Sequence, residues 1–258
     1  MDKLTMLGTG HAMTTRCFNT CFVYENETGK MLVDTGGGQQ LVGQLRKAGI
    51  KANDIDCLFI THRHTDHLLG LPWLVRMRMR NLAERPLEII AHHELCRVAQ
   101  ELLRLLFPEA EEELERGLVF HAVEDGEVVE ACGRRMLCYD TRNARCRQFG
   151  FSLTLENGKK FVFNGDVPYD EANHAHMENA DFLMHEAFCL EKNWSNKGHT
   201  CAALTAQYAA QLKAKTLIIV HCGDEDYENR RELYTQEAAA HFNGPIFVPY
   251  DLETIDLS

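Results

Sequence analysis

Three histidines and one aspartate lie within six residues, in the segment His62-Arg63-His64-Thr65-Asp66-His67. Neutral imidazoles and carboxylates are ligands that zinc, iron and manganese accept in proteins. His62 and His64 are two residues apart, so in an extended segment their side chains point the same way, whereas the adjacent Asp66 and His67 must diverge. This spacing predicts two metal ions side by side that share the four ligands. The alternative is a solvated, histidine-rich turn, which the clustering of ligand types disfavours.

Apolar runs that end at polar residues predict strands that present side chains at a common sheet edge. Residues 57–60 end at the histidine motif, residues 159–163 lead to Asp166, and residues 216–220 end at His221. Short loops after these strands would aim the polar side chains at the same edge.

The remaining hydrophobic pattern predicts alternating strands and helices over the whole chain. Residues 118–123, 127–130 and 135–139 are expected to be three strands of a second sheet. Residues 71–80 are predicted to be a helix whose arginines, Arg76, Arg78 and Arg80, form either a solvated surface or an anion-binding rim. Two packed sheets in one domain, with helices outside, satisfy the pattern most simply. The other predicted strands are 3–7, 20–24, 30–33, 87–91, 149–155, 181–185, 246–248 and 253–255, and the other predicted helices are 39–48, 93–107, 109–116, 200–212 and 228–240.

The pattern H-x-H-x-D-H after a strand resembles the metallo-β-lactamase superfamily, and His62, His64, Asp66 and His67 match it residue for residue. The resemblance implies an α/β fold, a four-layer αββα sandwich with a metal site at one edge. It also implies that residues 1–258 form a single domain of this type.

The same resemblance implies further site residues in the second half of the chain. Asp166 fits the carboxylate that bridges two metal ions, and His221 fits the late histidine ligand. Asp34 is expected beneath the site, where it supports a ligand. An aspartate bridge, as opposed to a cysteine, points away from the β-lactam-hydrolysing branch and toward phosphodiesterases, tRNA 3′-processing nucleases (RNase Z), lactonases and thioesterases.

Glu186 and His199 resemble a pair found in the RNase Z-like branch, where a histidine held by a glutamate assists departure of the leaving group. The chemistry agrees, because a leaving oxygen needs a proton and a carboxylate-backed histidine can supply one near neutral pH. The alternative is that His199 caps the helix that follows it.

The resemblance fails at one ligand. The superfamily places a third histidine shortly before a Gly-aromatic pair, here Gly150-Phe151, and the matching residue is Asn143. An amide oxygen is a poor zinc ligand beside imidazoles. The metal-binding position formed by His62 and His64 is then weak, or it is completed by water, Cys146 or His11. The centre is therefore mononuclear, asymmetrically dinuclear or degenerate.

Composition narrows the partners and the location. The net charge of -11, from 38 acidic and 27 basic residues, argues against broad nucleic-acid binding. No apolar run approaches the roughly 20 residues that span a bilayer, and the N-terminus leads straight into a strand. Ten cysteines without a C-x-x-C pair predict free thiols and a cytoplasmic location. Apolar helix faces leave a homodimer open.

These observations predict a metal-dependent hydrolase with one or two divalent ions, zinc in the first place and iron or manganese otherwise. Asp66 would orient a metal-activated water, His199 would protonate the leaving oxygen, and Glu186 would hold His199. The substrate would be a phosphodiester or a small ester or lactone, in a pocket whose lining loops include Trp194 and Asn196.

Stable tRNA binding is not expected, because only a tight hairpin lies between Gly150 and Asp166, where RNase Z-like proteins carry a projecting arm. The alternative function is a non-catalytic metal sensor or partner-binding scaffold that kept the fold and lost a ligand at Asn143.

Overall fold

The computed structural model describes residues 1–195 and 198–258. Of the residues named above, Asn196 lies outside this part. In chain order, the strands are β1 (Lys3–Gly8), β2 (Cys21–Glu25), β3 (Lys30–Val33), β4 (Cys57–Phe59), β5 (Leu87–His92), β6 (Leu118–Val123), β7 (Val128–Ala131), β8 (Arg134–Asp140), β9 (Phe149–Thr154), β10 (Lys160–Phe163), β11 (Phe182–Glu186), β12 (Thr216–Val220), β13 (Ile246–Phe247) and β14 (Thr254–Asp256). The α-helices are α1 (Gln40–Lys47), α2 (Thr65–Leu68), α3 (Leu71–Arg78), α4 (His93–Leu106), α5 (Glu111–Gly117), α6 (His174–Met177), α7 (Ala202–Gln211) and α8 (Arg230–Ala239).

The strands form two seven-stranded sheets with the same pattern of parallel and antiparallel pairs. The first has the order β14-β1-β2-β3-β4-β5-β6 and the second β13-β12-β11-β10-β9-β8-β7. In the first sheet β3 to β6 run parallel, and in the second β10 to β13 run parallel, while the other pairs are antiparallel. Each half therefore gathers the carboxyl ends of its parallel strands at one edge, where loops can place functional side chains.

Aromatic side chains fill the space between the two sheets. Phe22 of β2 meets Phe163 of β10 edge to face at 5.1 Å, and Phe59 of β4 meets Phe151 of β9 at 5.0 Å. Separate apolar clusters join helices to the outer face of each sheet. The predicted four-layer αββα sandwich is confirmed.

The structure corrects one sheet assignment. The strand β6 pairs in parallel with β5, from Leu87 opposite Leu118 to His92 opposite Val123, and so closes the first sheet instead of opening the second. A parallel pair needs a crossover connection, which α4 and α5 supply. The strand's own pattern contains no information about its partner. The short helix α6 was not predicted, because four residues show no helical period.

The structure gives Arg78, one of the three arginines in and after α3, a role that neither interpretation predicted. Arg78 is buried, and its guanidinium donates to the backbone oxygens of Ala52 (2.7 Å), Ile55 (2.6 Å) and Arg85 (2.7 Å). For Arg78 both the solvated-surface and the anion-rim interpretations are wrong. Its charge instead ties three loop carbonyls to the helix.

We expect Arg78→Ala to lower the free energy of unfolding by about 2–4 kcal/mol, because it removes charge-assisted hydrogen bonds and leaves buried carbonyls unpaired. Urea denaturation measures this. Arg76→Ala, at an exposed position of the same helix, is the matched control and should change stability little. Equal effects of the two substitutions would contradict the anchoring role.

Candidate metal centre

The loop after β3 holds the histidine motif in place. Asp34 has a φ of +55°, and its Oδ1 accepts a hydrogen bond from the backbone N–H of Thr61 at 2.8 Å. Its Oδ2 lies 2.7 Å from Nδ1 of His67. The backbone N–H of Thr35 donates to the carbonyl of His67 at 2.8 Å. A carboxylate on one imidazole nitrogen fixes the ring and leaves the other nitrogen, Nε2, for a ligand role.

Asp166 lies between imidazoles from both halves of the chain. Its Oδ1 is 3.5 Å from Nε2 of His62, and its Oδ2 is 3.4 Å from Nε2 of His67 and 3.5 Å from Nε2 of His221. Oδ2 of Asp66 lies 3.3 Å from the same nitrogen of His67. A carboxylate with one oxygen toward each group of imidazoles has the placement of a bridge.

These groups fit a divalent cation. Nε2 of His67 and Oδ1 of Asp166 are buried, with no hydrogen-bond partner in the part of the chain that the structure describes. Each buried unpaired polar atom costs roughly 1–3 kcal/mol, a large sum against the stability of a domain. Ligand atoms within 4.8 Å of one another occur in three groups: His62, His67 and Asp166; Asp66, His67 and His221; and Asp166, His199 and His221.

The electrostatics favour cation binding. Burial lowers the pKa of His62 well below its usual range and that of His221 to about 3, so both imidazoles are neutral at pH 7. Burial opposes the charge of Asp166, but the imidazoles of His62, His67 and His221 outweigh it and hold the pKa of Asp166 well below its usual range. His67 differs from His62 and His221. Burial opposes its charge, but Asp34 and Asp166 outweigh this and raise the pKa of His67 well above its usual range, so a cation bound at its Nε2 would displace a proton.

The first two histidines of the motif form the less complete side. His64 is exposed, and its Nδ1 lies 2.8 Å from Nε2 of His62, but His64 belongs to none of the three groups. The Asn143 side chain has partners of its own, since its NH₂ donates to Oε1 of Gln148 at 3.2 Å and its Oδ1 accepts from the backbone N–H of Arg145 at 2.9 Å.

Neither of the two substitute ligands joins the groups. The thiol of Cys146 donates to the backbone oxygen of Arg147 at 3.7 Å. The ring of His11 stacks on Phe188 at 4.0 Å and lies 6.2 Å from the ring of His221.

Glu186, at the end of β11, holds His199 beside the centre. Its buried Oε2 lies 3.0 Å from Nδ1 of His199, and its Oε1 accepts from the backbone N–H of Thr200 at 3.1 Å. The indole of Trp194 donates to the carbonyl of His199 at 2.9 Å. Burial lowers the pKa of His199, but the hydrogen bond to Glu186 more than offsets this and the pKa lies above its usual value. The capping interpretation is wrong, because helix α7 begins from Cys201 without a side-chain cap.

Gln148 is a buried polar residue against the loop of Asp166 that sequence reasoning did not single out. It is fully buried, precedes β9 and lies against Gly165, the neighbour of Asp166. The available signal was a polar residue immediately before an apolar strand. That signal is weak, because many strands begin this way.

The fold and the centre together define an RNase Z-like protein of the metallo-β-lactamase superfamily, a metal-dependent hydrolase. Residues 2–242 match the family described as Anti-Pycsar protein Apyc1, and the chain belongs to that family.

The chain is also similar to other proteins and solved structures. It is 27% identical over 309 aligned positions to the Ribonuclease Z of Natronomonas pharaonis, covering 99% of this chain and 97% of the relative. The crystal structure of the metallo-beta-lactamase fold protein YhfI from Bacillus subtilis superposes with a TM-score of 0.82 at 16% identity, over 98% of both chains. The short form of human tRNase Z gives 0.75 at 23% identity, over 99% of each.

We expect Asp34→Asn to weaken metal binding about 10- to 100-fold, because an amide supports His67 less well than a carboxylate. Asparagine tolerates the positive φ of this position, so the backbone should hold. Competition with a chromogenic chelator measures the affinity. Asp54→Asn, at a half-buried position in the turn after α1, is the control. An unchanged affinity in Asp34→Asn would show that the loop has no part in the centre.

Proposed function

We propose that this protein hydrolyses small phosphodiesters with the help of one or two divalent ions. The observation that supports this most is the placement of Asp166, with oxygens toward His62 on one side and toward His67 and His221 on the other. We propose zinc as the first candidate, and iron or manganese as alternatives, since imidazole and carboxylate ligands suit all three metals.

In this proposal Asp66, His67, Asp166 and His221 hold the more complete site, and His62 and His64 with Asp166 hold the other. An ion held by these residues would supply positive charge to the substrate and would make hydroxide available near neutral pH. Asp66 would orient the attacking water. His199 gives its proton to the leaving oxygen, and Glu186 keeps the imidazole charged and oriented.

Charge favours a phosphodiester over a neutral ester or lactone. The contact with Glu186 raises the pKa of His199 and so favours its cationic form, and His199 lies with Asp166 and His221 in one group of ligand atoms. A phosphodiester has an anionic centre that such a cation attracts, whereas a neutral carbonyl gains less.

The surroundings favour a small substrate. Between β9 and β10 the chain makes only the turn 155–159, with Gly158 at a φ of +78°. A cavity of about 360 Å³ opens beside the motif, with Arg63, His92 and Asn143 in its wall. This volume suits a small ligand. Because the chain has no arm between β9 and β10 and carries a net charge of -11, we propose that it does not bind tRNA stably.

The direct test is turnover of bis(p-nitrophenyl) phosphate, with p-nitrophenyl acetate and a lactone as comparison substrates. We expect the metal-loaded protein to prefer the phosphodiester and His67→Ala to lose at least about 100-fold in kcat/KM. His121→Ala, at an exposed position on β6, is the matched control. Full activity in His67→Ala would contradict the proposal.

The leaving-group role of His199 predicts a pH effect. Protonated His199 is the active form, so kcat/KM should fall as pH rises through its pKa. Glu186→Gln removes the carboxylate that raises this pKa, and the alkaline limb of the profile should move to lower pH. Glu191→Gln, an exposed site, should leave the limb in place. An alkaline limb unmoved by Glu186→Gln would assign it to another group.

A non-catalytic sensor or scaffold is the second candidate, and the absence of a ligand at Asn143 is what favours it. Restoring a histidine separates the two. We expect Asn143→His to give no gain in turnover, because the native amide is already engaged with Gln148 and Arg145. A large gain would show that the native centre is crippled, in agreement with the scaffold.

No helix in the described ranges is both long and apolar enough to cross a bilayer. All ten cysteines are free. We propose a cytoplasmic location on the strength of these thiols. We likewise propose that residues 1–258 act as a single domain and that the protein assembles as a homodimer.

A further inference from the structure

The two-residue turn Cys132-Gly133 joins β7 to β8, with Ala131 paired to Arg134 across it. Both turn residues have a positive φ, +49° at Cys132 and +66° at Gly133. A hairpin turn with this backbone favours asparagine, aspartate or glycine at its first position, because other side chains crowd the main chain there. The turn itself therefore does not select cysteine, and the thiol is the part of Cys132 that offers a reason for its presence.

The thiol of Cys132 lies against a second thiol that belongs to the other sheet. Its Sγ is 3.9 Å from Sγ of Cys57, the first residue of β4. The backbone of Cys132 is held to the turn between β2 and β3, because its carbonyl oxygen accepts from Nδ2 of Asn26 at 2.9 Å and from the hydroxyl of Thr28. Contacts that involve neither sulfur therefore keep the two thiols side by side.

The two cysteines differ in how easily a reagent reaches them. Cys132 is half-buried, whereas Cys57 is buried. The hydrogen bond with Cys132 and burial both raise the pKa of Cys57 well above its usual range, so Cys57 stays a protonated thiol. A small oxidant therefore meets Cys132 first. A disulfide needs its sulfurs about 2.0 Å apart, and side-chain rotation at the two residues can supply the remaining approach of roughly 2 Å.

We propose that Cys57 and Cys132 are a redox-active pair, which a peroxide converts into a disulfide between the two sheets. In the first step the Cys132 sulfur attacks one oxygen of hydrogen peroxide, the O–O bond breaks, and a sulfenic acid and water form. In the second step the Cys57 sulfur attacks the Cys132 sulfur, and the S–S bond forms as the S–O bond breaks. The departing hydroxide takes the Cys57 proton and leaves as a second water. Each thiol loses one electron, and the peroxide takes up both.

The cross-link lies at the end of the sandwich away from the metal centre. Strand β4 begins at Cys57, and the histidine motif follows its other end. At about 3.3 Å per residue, Cys57 and His62 are on the order of 16 Å apart along the chain. Oxidation closes a ring of chain between residues 57 and 132 and ties the sheets together without involving a ligand residue. In a reducing compartment the bond forms under oxidative stress and is reversed by thiols.

The test exposes the folded, untagged chain to hydrogen peroxide, stops the reaction with catalase, and blocks the remaining thiols in denaturant before peptide mass spectrometry. We expect a disulfide-linked pair of peptides that contain Cys57 and Cys132, and two fewer blocked thiols than the ten of the reduced chain. The melting temperature should rise by about 5 °C or more, because the ring restricts the unfolded chain. Dithiothreitol should reverse both changes.

Cys132→Asn is the most informative variant, because asparagine suits the positive φ of this turn and the reduced protein should fold without loss of stability. After peroxide it should keep the Cys57 thiol and show no rise in melting temperature. Cys96→Ala, which removes a different buried thiol on α4, is the matched control. It should still form the cross-link and gain the same rise.

Three results would overturn the proposal. The first is Cys132 oxidised to a sulfinic acid while Cys57 remains a free thiol. The second is a disulfide that joins Cys132 to a different cysteine or to a second copy of the chain. The third is an equal rise in melting temperature in Cys132→Asn, which would assign the stabilisation to another oxidation.

Discussion

The Asp166 carboxylate is the constraint on which the centre depends, because it faces imidazoles contributed by both sheets. Its position follows from the parallel pairing of β10 with β11 and from Gly165, whose φ of +78° turns the chain under Gln148. The aromatic contacts between the sheets fix the distance from this strand end to the histidine motif. Asp34 then orients His67 toward the carboxylate. A shift of either sheet would separate ligand atoms that now lie within a few ångströms.

The two sides of the centre are unequal, and the inequality has a physical basis. On one side His67 and His221 face an oxygen of Asp166, and a carboxylate oxygen of Asp66 lies 3.3 Å from the same nitrogen of His67. On the other side His62 faces the second oxygen of Asp166, and the neighbouring His64 is exposed. The first side therefore offers more ligand atoms to a cation than the second.

The sequence predicted the features that depend on residues close together in the chain. The spacing of the histidine motif and the polar residues after apolar strands located His62, His67, Asp166 and His221, which the fold does bring together. It failed for contacts set by the tertiary structure. Nothing near Leu118 specifies that β6 pairs with β5, and the burial of Arg78 depends on carbonyls from two separate loops. The orientation of Gln148 depends likewise on Asn143 and Gly165.

The most direct test of the central claim, that Asp166 joins both sheets in one metal centre, is elemental analysis of untagged protein reconstituted with zinc and desalted. We expect about one ion or more per wild-type chain, since three or four nitrogen and oxygen ligands hold zinc firmly. Asp166→Ala should retain none at the same folded fraction, as judged by circular dichroism. Equal metal content in the wild type and Asp166→Ala, or a folded wild type that takes up no metal, would contradict the account.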